Sequence, residues 1–181
     1  MILSLDASTT CIGWSVFEED NLITYGRIEP TEKGLDWRDR VHNLLPQLEQ
    51  LILEYKPIII YQEDVPMGGA GGAMILSQLN YLQGALSVIE TKYSNIQYIN
   101  VGTWRKDIGI NSGKDQRRDA KKIKSIEKAN ELFNINLPLE FTSGGNYKPC
   151  GSDDISDSIL LYASTRDKYK VKLKSFGKGV K

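Results

Sequence analysis

The sequence predicts an α/β fold built on one mixed sheet. Three short strand-like runs follow one another at the N-terminus, two long helical patterns then alternate with two more apolar runs, and the chain closes on helices. That order calls for a five-stranded sheet, three strands antiparallel and two parallel, flanked by helices. At 181 residues the chain is long enough for one domain with a real core and too short for two of ordinary size. Charged residues are 25% and apolar ones 40%, the balance of a soluble globular protein. No apolar run approaches the roughly 20 residues that cross a bilayer, and the N-terminus carries no basic leader with a cleavage site, so no membrane partner and a cytoplasmic location are expected. Cys11 and Cys150 lie far apart without metal-type spacing and read as reduced thiols.

In "MILSLDA", Ile2, Leu3 and Leu5 form a largely buried strand ending on Asp6. In "CIGWSVFEE", Ile12, Trp14 and Val16 alternate with small or polar residues as a second strand, and "LITYGRIE" is a third, so brief turns predict an antiparallel meander. From Asp36 to Tyr55, Val41, Leu44, Leu48, Leu51, Ile52 and their apolar neighbours recur at three and four, an amphipathic helix kinked at Pro46. His42, the only histidine, lies on this helix away from other ligand types and reads as a surface residue. "KPIIIYQED" is a buried strand through Ile58, Ile59 and Ile60 that ends on Glu63. After the glycine-rich "VPMGGAGGA", Ile75, Leu79, Leu82, Leu86, Ile89 and Tyr93 make a helical seam suited to a sheet or to a partner subunit. "NIQYINV" is the fifth strand. A short helical turn at "TWRKD", a loop, and a basic helix with Ile123, Ile126 and Leu132 inward follow. "EFTSGGNYKPCGS" reads as loop and "DDISDSILLYASTRDKY" as the last helix, with Ile155, Ile159 and Ala163 inward. One domain is expected over residues 1–167, with a basic tail at 168–181.

Joined by a right-handed crossover, the first and fourth strands would lie side by side and parallel. Asp6 and Glu63 would then sit at neighbouring carboxyl ends, where open α/β sheets place their ligands. The last helix adds Asp154 and Asp157, three apart on one face, with Asp153 beside them. A helix dipole accounts for one or two acids in a first turn, but not for a pair abutting an apolar face. Gathered carboxylates raise one another's pKa unless a cation holds them. With no His or Cys among them, the set selects a hard divalent ion, Mg2+ or Mn2+. Two such ions about 4 Å apart serve an in-line phosphoryl displacement. Zero net charge conceals an asymmetry: residues 1–100 hold 6 Lys or Arg against 13 Asp or Glu, a balance of −7, and residues 101–181 hold 17 against 10, a balance of +7. A polyanion-binding C-terminal half beside an acidic site points to a nucleic-acid phosphodiester, with a merely solvated charged surface as the alternative.

"SLDASTTCIGWSVF", "YQEDVPM" and "DDISDSILLYAS" together resemble the three acidic motifs of the RuvC-like Holliday junction resolvases, in the RNase H-like superfamily. The resemblance spans the chain from Asp6 to the last helix. It implies an RNase H-like five-stranded sheet, a homodimer with one active site per subunit, two Mg2+ or Mn2+ ions per site, and symmetric nicking of four-way DNA junctions. Asp6, Glu63, Asp154 and Asp157 match the four catalytic, metal-binding carboxylates, with Asp153 a further metal-binding candidate. The stretch "TWRKDIGINSGK" through "AKKIKSIEKA" resembles the family's DNA-contacting segment and points to Lys106 and to one or more of Lys121, Lys122 and Lys124; Arg105, Lys114, Arg117 and Arg118 in the same basic stretch are further DNA-binding candidates.

Where bacterial members carry an aromatic residue three positions after the second acid, this sequence has Pro66. Stacking worth about 1–3 kcal/mol per base would be missing there, which predicts weaker sequence preference and action on forks and flaps as well as four-way junctions. The compact form is more similar to bacteriophage members, which would place the protein in the host cytoplasm. Three rival readings stand beside this one. "LDASTT" also resembles a phosphate-binding turn of actin-like kinases, which need a second lobe. A catalytically silent architectural protein would bind branched DNA and ignore divalent ions. A nuclease of the same fold could instead act on RNA.

Overall fold

The computed structural model describes residues 1–65, 72–110 and 118–176, the last ten by backbone alone. Pro66, Lys114, Arg117 and the end of the basic tail lie outside these residues. Five strands, β1 (Ile2–Ala7), β2 (Ile12–Glu18), β3 (Asn21–Ile28), β4 (Ile59–Glu63) and β5 (Ile96–Ile99), are arranged β3-β2-β1-β4-β5 in one sheet. β1, β2 and β3 pair antiparallel, while β4 runs parallel to both β1 and β5. The predicted meander and the side-by-side first and fourth strands are both present.

Side chains alternate across a strand, so β1 sends Leu3, Leu5 and Ala7 to one face and Ile2, Ser4 and Asp6 to the other. On the first face, Leu3, Leu5, Ile12, Val16 and Ile60 pack against α1 (Trp37–Tyr55) and α2 (Gly72–Lys92). On the second, Ile2, Phe17, Ile59 and Tyr61 pack against α3 (Val101–Asp107), α4 (Arg118–Phe133) and α5 (Ser152–Phe176). Asp6 and Glu63 share the parity of the second face.

α1 starts on Asp36, whose carboxylate accepts the Arg38 and Asp39 amides at 2.7 and 3.0 Å. It spans Pro46, where a kink is predicted, as one continuous helix. A mid-helix proline costs about 3 kcal/mol, but Val41, Leu44, Leu48 and Ile52 are all buried, each worth about 1.5–3 kcal/mol. α5 is buried nearly all round through Thr165, and its small hydroxyls bond their own helix: Ser156 donates to the Asp153 carbonyl at 3.0 Å and Ser158 to that of Ile155 at 2.8 Å. A helix so satisfied can lie deep in the molecule.

Several sequence expectations are corrected in detail. Ile58 is 67% exposed: it shares the parity of Ile60 but lies before the start of β4, outside the strand that is packed against the helices. Leu132 is exposed and Ala129 takes the inner position on α4. Ile75 is exposed, so the inward seam of α2 is Leu82, Leu86 and Ile89. The expected loop before the last helix contains a hairpin, β6 (Glu140–Phe141) with β7 (Tyr147–Lys148), closed through Gly145 at φ +76° and anchored by buried Tyr147. α5 continues to Phe176, carrying helical backbone into the predicted tail. His42 is exposed, as expected, and shares a 2.9 Å hydrogen bond with the Tyr81 hydroxyl. Among the described residues, no helix is long and apolar enough to cross a membrane.

Candidate active site

The site begins with strand register. Leu5 pairs with Gln62, so the next residues along the parallel strands are Asp6 and Glu63. Beyond Asp6 the turn is held by other groups: the Ser8 amide donates to the Cys11 carbonyl at 2.9 Å, and the Ser8 hydroxyl accepts from the Thr10 and Cys11 amides at 3.2 Å. The hydroxyl residues make the turn and leave the Asp6 carboxylate for the cleft.

Gly13 is the β2 partner of Asp6 and brings in the other acids. The backbone of Asp154 rests directly on it; a Cβ there would lie 2.1 Å from the Asp154 carbonyl oxygen. Glycine within a strand marks such a close approach, and here it seats the α5 N-terminus beside Asp6. The result is a cleft of about 540 Å³ lined by Asp6, Glu63, Asp153, Asp154 and Asp157 together with Arg27, Arg105, Arg118, Lys121 and Lys122.

Charge crowding is evident in the proton affinities. Asp6 is raised well above the usual carboxylate range, first by burial and then by the charges of Glu63, Asp157 and Asp154. Burial pushes Glu63 up to about 7, with Asp157 adding to the rise and Arg105 and the Trp104 hydrogen bond opposing it. Asp154 and Asp157 are also raised, chiefly by burial. Asp153 behaves differently: burial works against its ionisation, but the bond and charge of Lys122 outweigh it and lower its pKa.

Protein donors already hold one oxygen of several acids. Arg27 Nε lies 3.0 Å from Asp154 Oδ2, which also accepts from Cys11 Sγ at 3.2 Å. Arg105 Nη2 lies 2.8 Å from Asp157 Oδ2, and the Trp104 indole N–H donates to Glu63 Oε2 at 2.9 Å. Asp157 Oδ1 is buried and no donor among the described residues reaches it within hydrogen-bond distance, although the Ser125 hydroxyl is near enough to ease its ionisation. Among the described residues no three such side chains stand gathered as a ready-made ion shell. Arg27 and Arg105 instead supply cationic charge to Asp154 and Asp157. The donor chemistry nonetheless fits a hard divalent ion, with carboxylate oxygens as ligands, pKa values raised by burial and then by mutual repulsion, and a buried oxygen without a donor among the described residues.

The four predicted catalytic carboxylates thus line one cleft. Asp153 lies beside them with both oxygens engaged, Oδ1 by the Tyr147 hydroxyl at 3.2 Å and Oδ2 by the Lys122 ammonium. Of the predicted DNA-contacting residues, Arg118, Lys121 and Lys122 line the cleft and Arg105 is half-buried inside it. Lys106 is exposed on α3, and Lys124 lines a separate groove with Glu127 and Lys128. Sequence reasoning missed Arg27, Gly13, Tyr147 and the bond made by Trp104. Only Gly13 left a signal, as a glycine amid the alternation of β2.

The sheet order, the flanking helices and the placement of the acids define an RNase H-like fold of the type found in Holliday junction resolvases. Among solved structures the chain is similar to Thermus thermophilus RuvC in complex with a Holliday junction substrate, at a TM-score of 0.65 and 11% identity over 92% of this chain and 94% of that one. The yeast mitochondrial Holliday junction resolvase Ydc2 aligns with a TM-score of 0.58 and 17% identity, over 97% of this chain and 83% of that one. Fowlpox virus resolvase in complex with substrate Holliday junction DNA aligns with a TM-score of 0.50 and 16% identity, over 93% and 99%. Neither a protein-family model nor a curated relative matches the sequence.

Proposed function

We propose that the protein is a divalent-metal-dependent endonuclease that resolves Holliday junctions and cuts other branched DNA, including forks and flaps. The observation that carries this reading is the convergence of Asp6, Glu63, Asp154 and Asp157 in one cleft walled by Arg and Lys side chains. Two of the structures similar in fold hold junction DNA, which supports the choice of substrate. Asp6, Glu63, Asp154 and Asp157 would hold two Mg2+ or Mn2+ ions. Such ions supply an activated water and stabilise the leaving oxygen of a phosphodiester. The chain's own part is to bind and orient: Arg118 and Lys121 draw the phosphate backbone to the cleft, while Arg27 and Arg105 keep Asp154 and Asp157 in place.

Cutting both opposing strands of a junction needs paired sites, and a homodimer supplies them. The outer face of α2 supports one: Met74, Tyr81 and Val88 are exposed at 71%, 37% and 64%, and no charged residue occurs from Gly72 to Ile89. The basic residues of 168–181 would act as a nonspecific tether.

The test compares wild type with Asp6→Asn on a labelled four-way junction and a matched linear duplex, in Mg2+, Mn2+ and EDTA. Metal-dependent cutting of the junction, lost at least 100-fold in the variant while binding survives, is the expected result. Tight binding without cutting in any metal would instead identify a non-catalytic architectural protein.

A further inference from the structure

We propose that Trp104 is a positioning residue for Glu63: its indole N–H holds one carboxylate oxygen so that the other faces the cleft. The inference rests on the reading of the cleft as a metal-dependent nuclease site. Trp104 is 0% exposed within the core formed by Tyr61, Ile99, Ile110 and Ile159. Packing alone would accept any large apolar side chain there. A buried indole also needs an acceptor for its N–H, and the acceptor is Glu63 Oε2 at 2.9 Å. No hydrogen bond reaches Glu63 Oε1 from the described residues.

The donor's neutrality matters as much as its position. Arg27 and Arg105 orient their carboxylates but also neutralise them, and so compete with an incoming cation. An indole orients its carboxylate without adding a cation of its own; the charge of Arg105 reaches Glu63, but its hydrogen bond goes to Asp157. Its mounting is rigid. Asn100 caps α3 by accepting the Gly102 and Thr103 amides at 2.9 and 3.3 Å, and the Asp64 amide donates to the Ile99 carbonyl at 2.9 Å, tying the ends of β4 and β5 together. Groups that orient a metal ligand in this way typically control affinity by 10–100-fold.

Trp104→Phe keeps an aromatic ring in the core and removes the N–H. Calorimetric titration of the DNA-free protein with Mn2+ should show affinity reduced about 10-fold or more, with junction binding in EDTA within about twofold of wild type and cleavage largely restored at high Mn2+. Mn2+ affinity within twofold of wild type would reduce Trp104 to core filling and overturn the inference, while leaving the nuclease reading intact. A wild type that binds no Mn2+ would overturn both. Should the variant fail to fold, the indole 15N–1H resonance of Trp104 in the wild type decides: it should shift on Mg2+ saturation, and Glu63→Gln should abolish the shift. A resonance indifferent to Mg2+ would sink the idea.

Discussion

Glu63, with a pKa near 7 in the folded chain against 4.5 for a free glutamate, carries a linkage between protons, metal and stability. Between those values the folded state binds more protons than the unfolded one, so stability is greater at acid pH and falls as pH rises toward neutrality. At 1.36 kcal/mol per pH unit, the loss through Glu63 is bounded by about 3 kcal/mol, and Asp6 acts in the same direction. Thermal unfolding in EDTA should therefore show the melting temperature falling between about pH 5 and pH 7.5, by several degrees, with Mg2+ flattening the decline. A melting temperature that climbs across this window would contradict the raised carboxylates. At this scale the acids were legible in the sequence, because each ends a strand or lies in the opening turns of a helix. Their holders were not. Trp104 stands 41 positions from Glu63 and Arg105 stands 52 from Asp157, and no local pattern relates such pairs.

The junction of β2 with α5 sets the site at the scale of elements. Gly13→Ala would drive a methyl group into the Asp154 backbone, where neither strand nor helix can yield cheaply. Overpacking of this kind costs about 1–3 kcal/mol or more, and the expected result is a fall in melting temperature of about 4 °C or more together with loss of metal-dependent cleavage. A Gly13→Ala protein as stable and active as wild type would show that α5 can move off the sheet. The strands and long helices were readable because their apolar periods are clean. The β6–β7 hairpin was not: its strands are two residues each, and its anchor is Tyr147, packed in the core and bonded to Asp153.

For the molecule as a whole, the uncharged outer face of α2 carries the prediction. Val88 is exposed, so Val88→Glu should leave the fold and its melting temperature within about 1–2 °C of wild type. In sedimentation at micromolar concentration it should convert a dimer to a monomer, and with that abolish paired nicking of a junction. A wild type that sediments only as a monomer would remove the dimer. The sequence pattern announced a helix here and a seam for a sheet or a partner subunit, but inward and outward positions recur at similar spacing, so the pattern did not separate exposed Ile75 from buried Leu82, Leu86 and Ile89.

The two faces of the sheet have separate occupations. α1 and α2 close one with hydrocarbon, while α3, α4 and α5 close the other around the acids. Stability and chemistry can therefore be tuned apart: trimming a methylene between the sheet and α1 should loosen the fold while leaving the acidic cleft on the opposite side its shape.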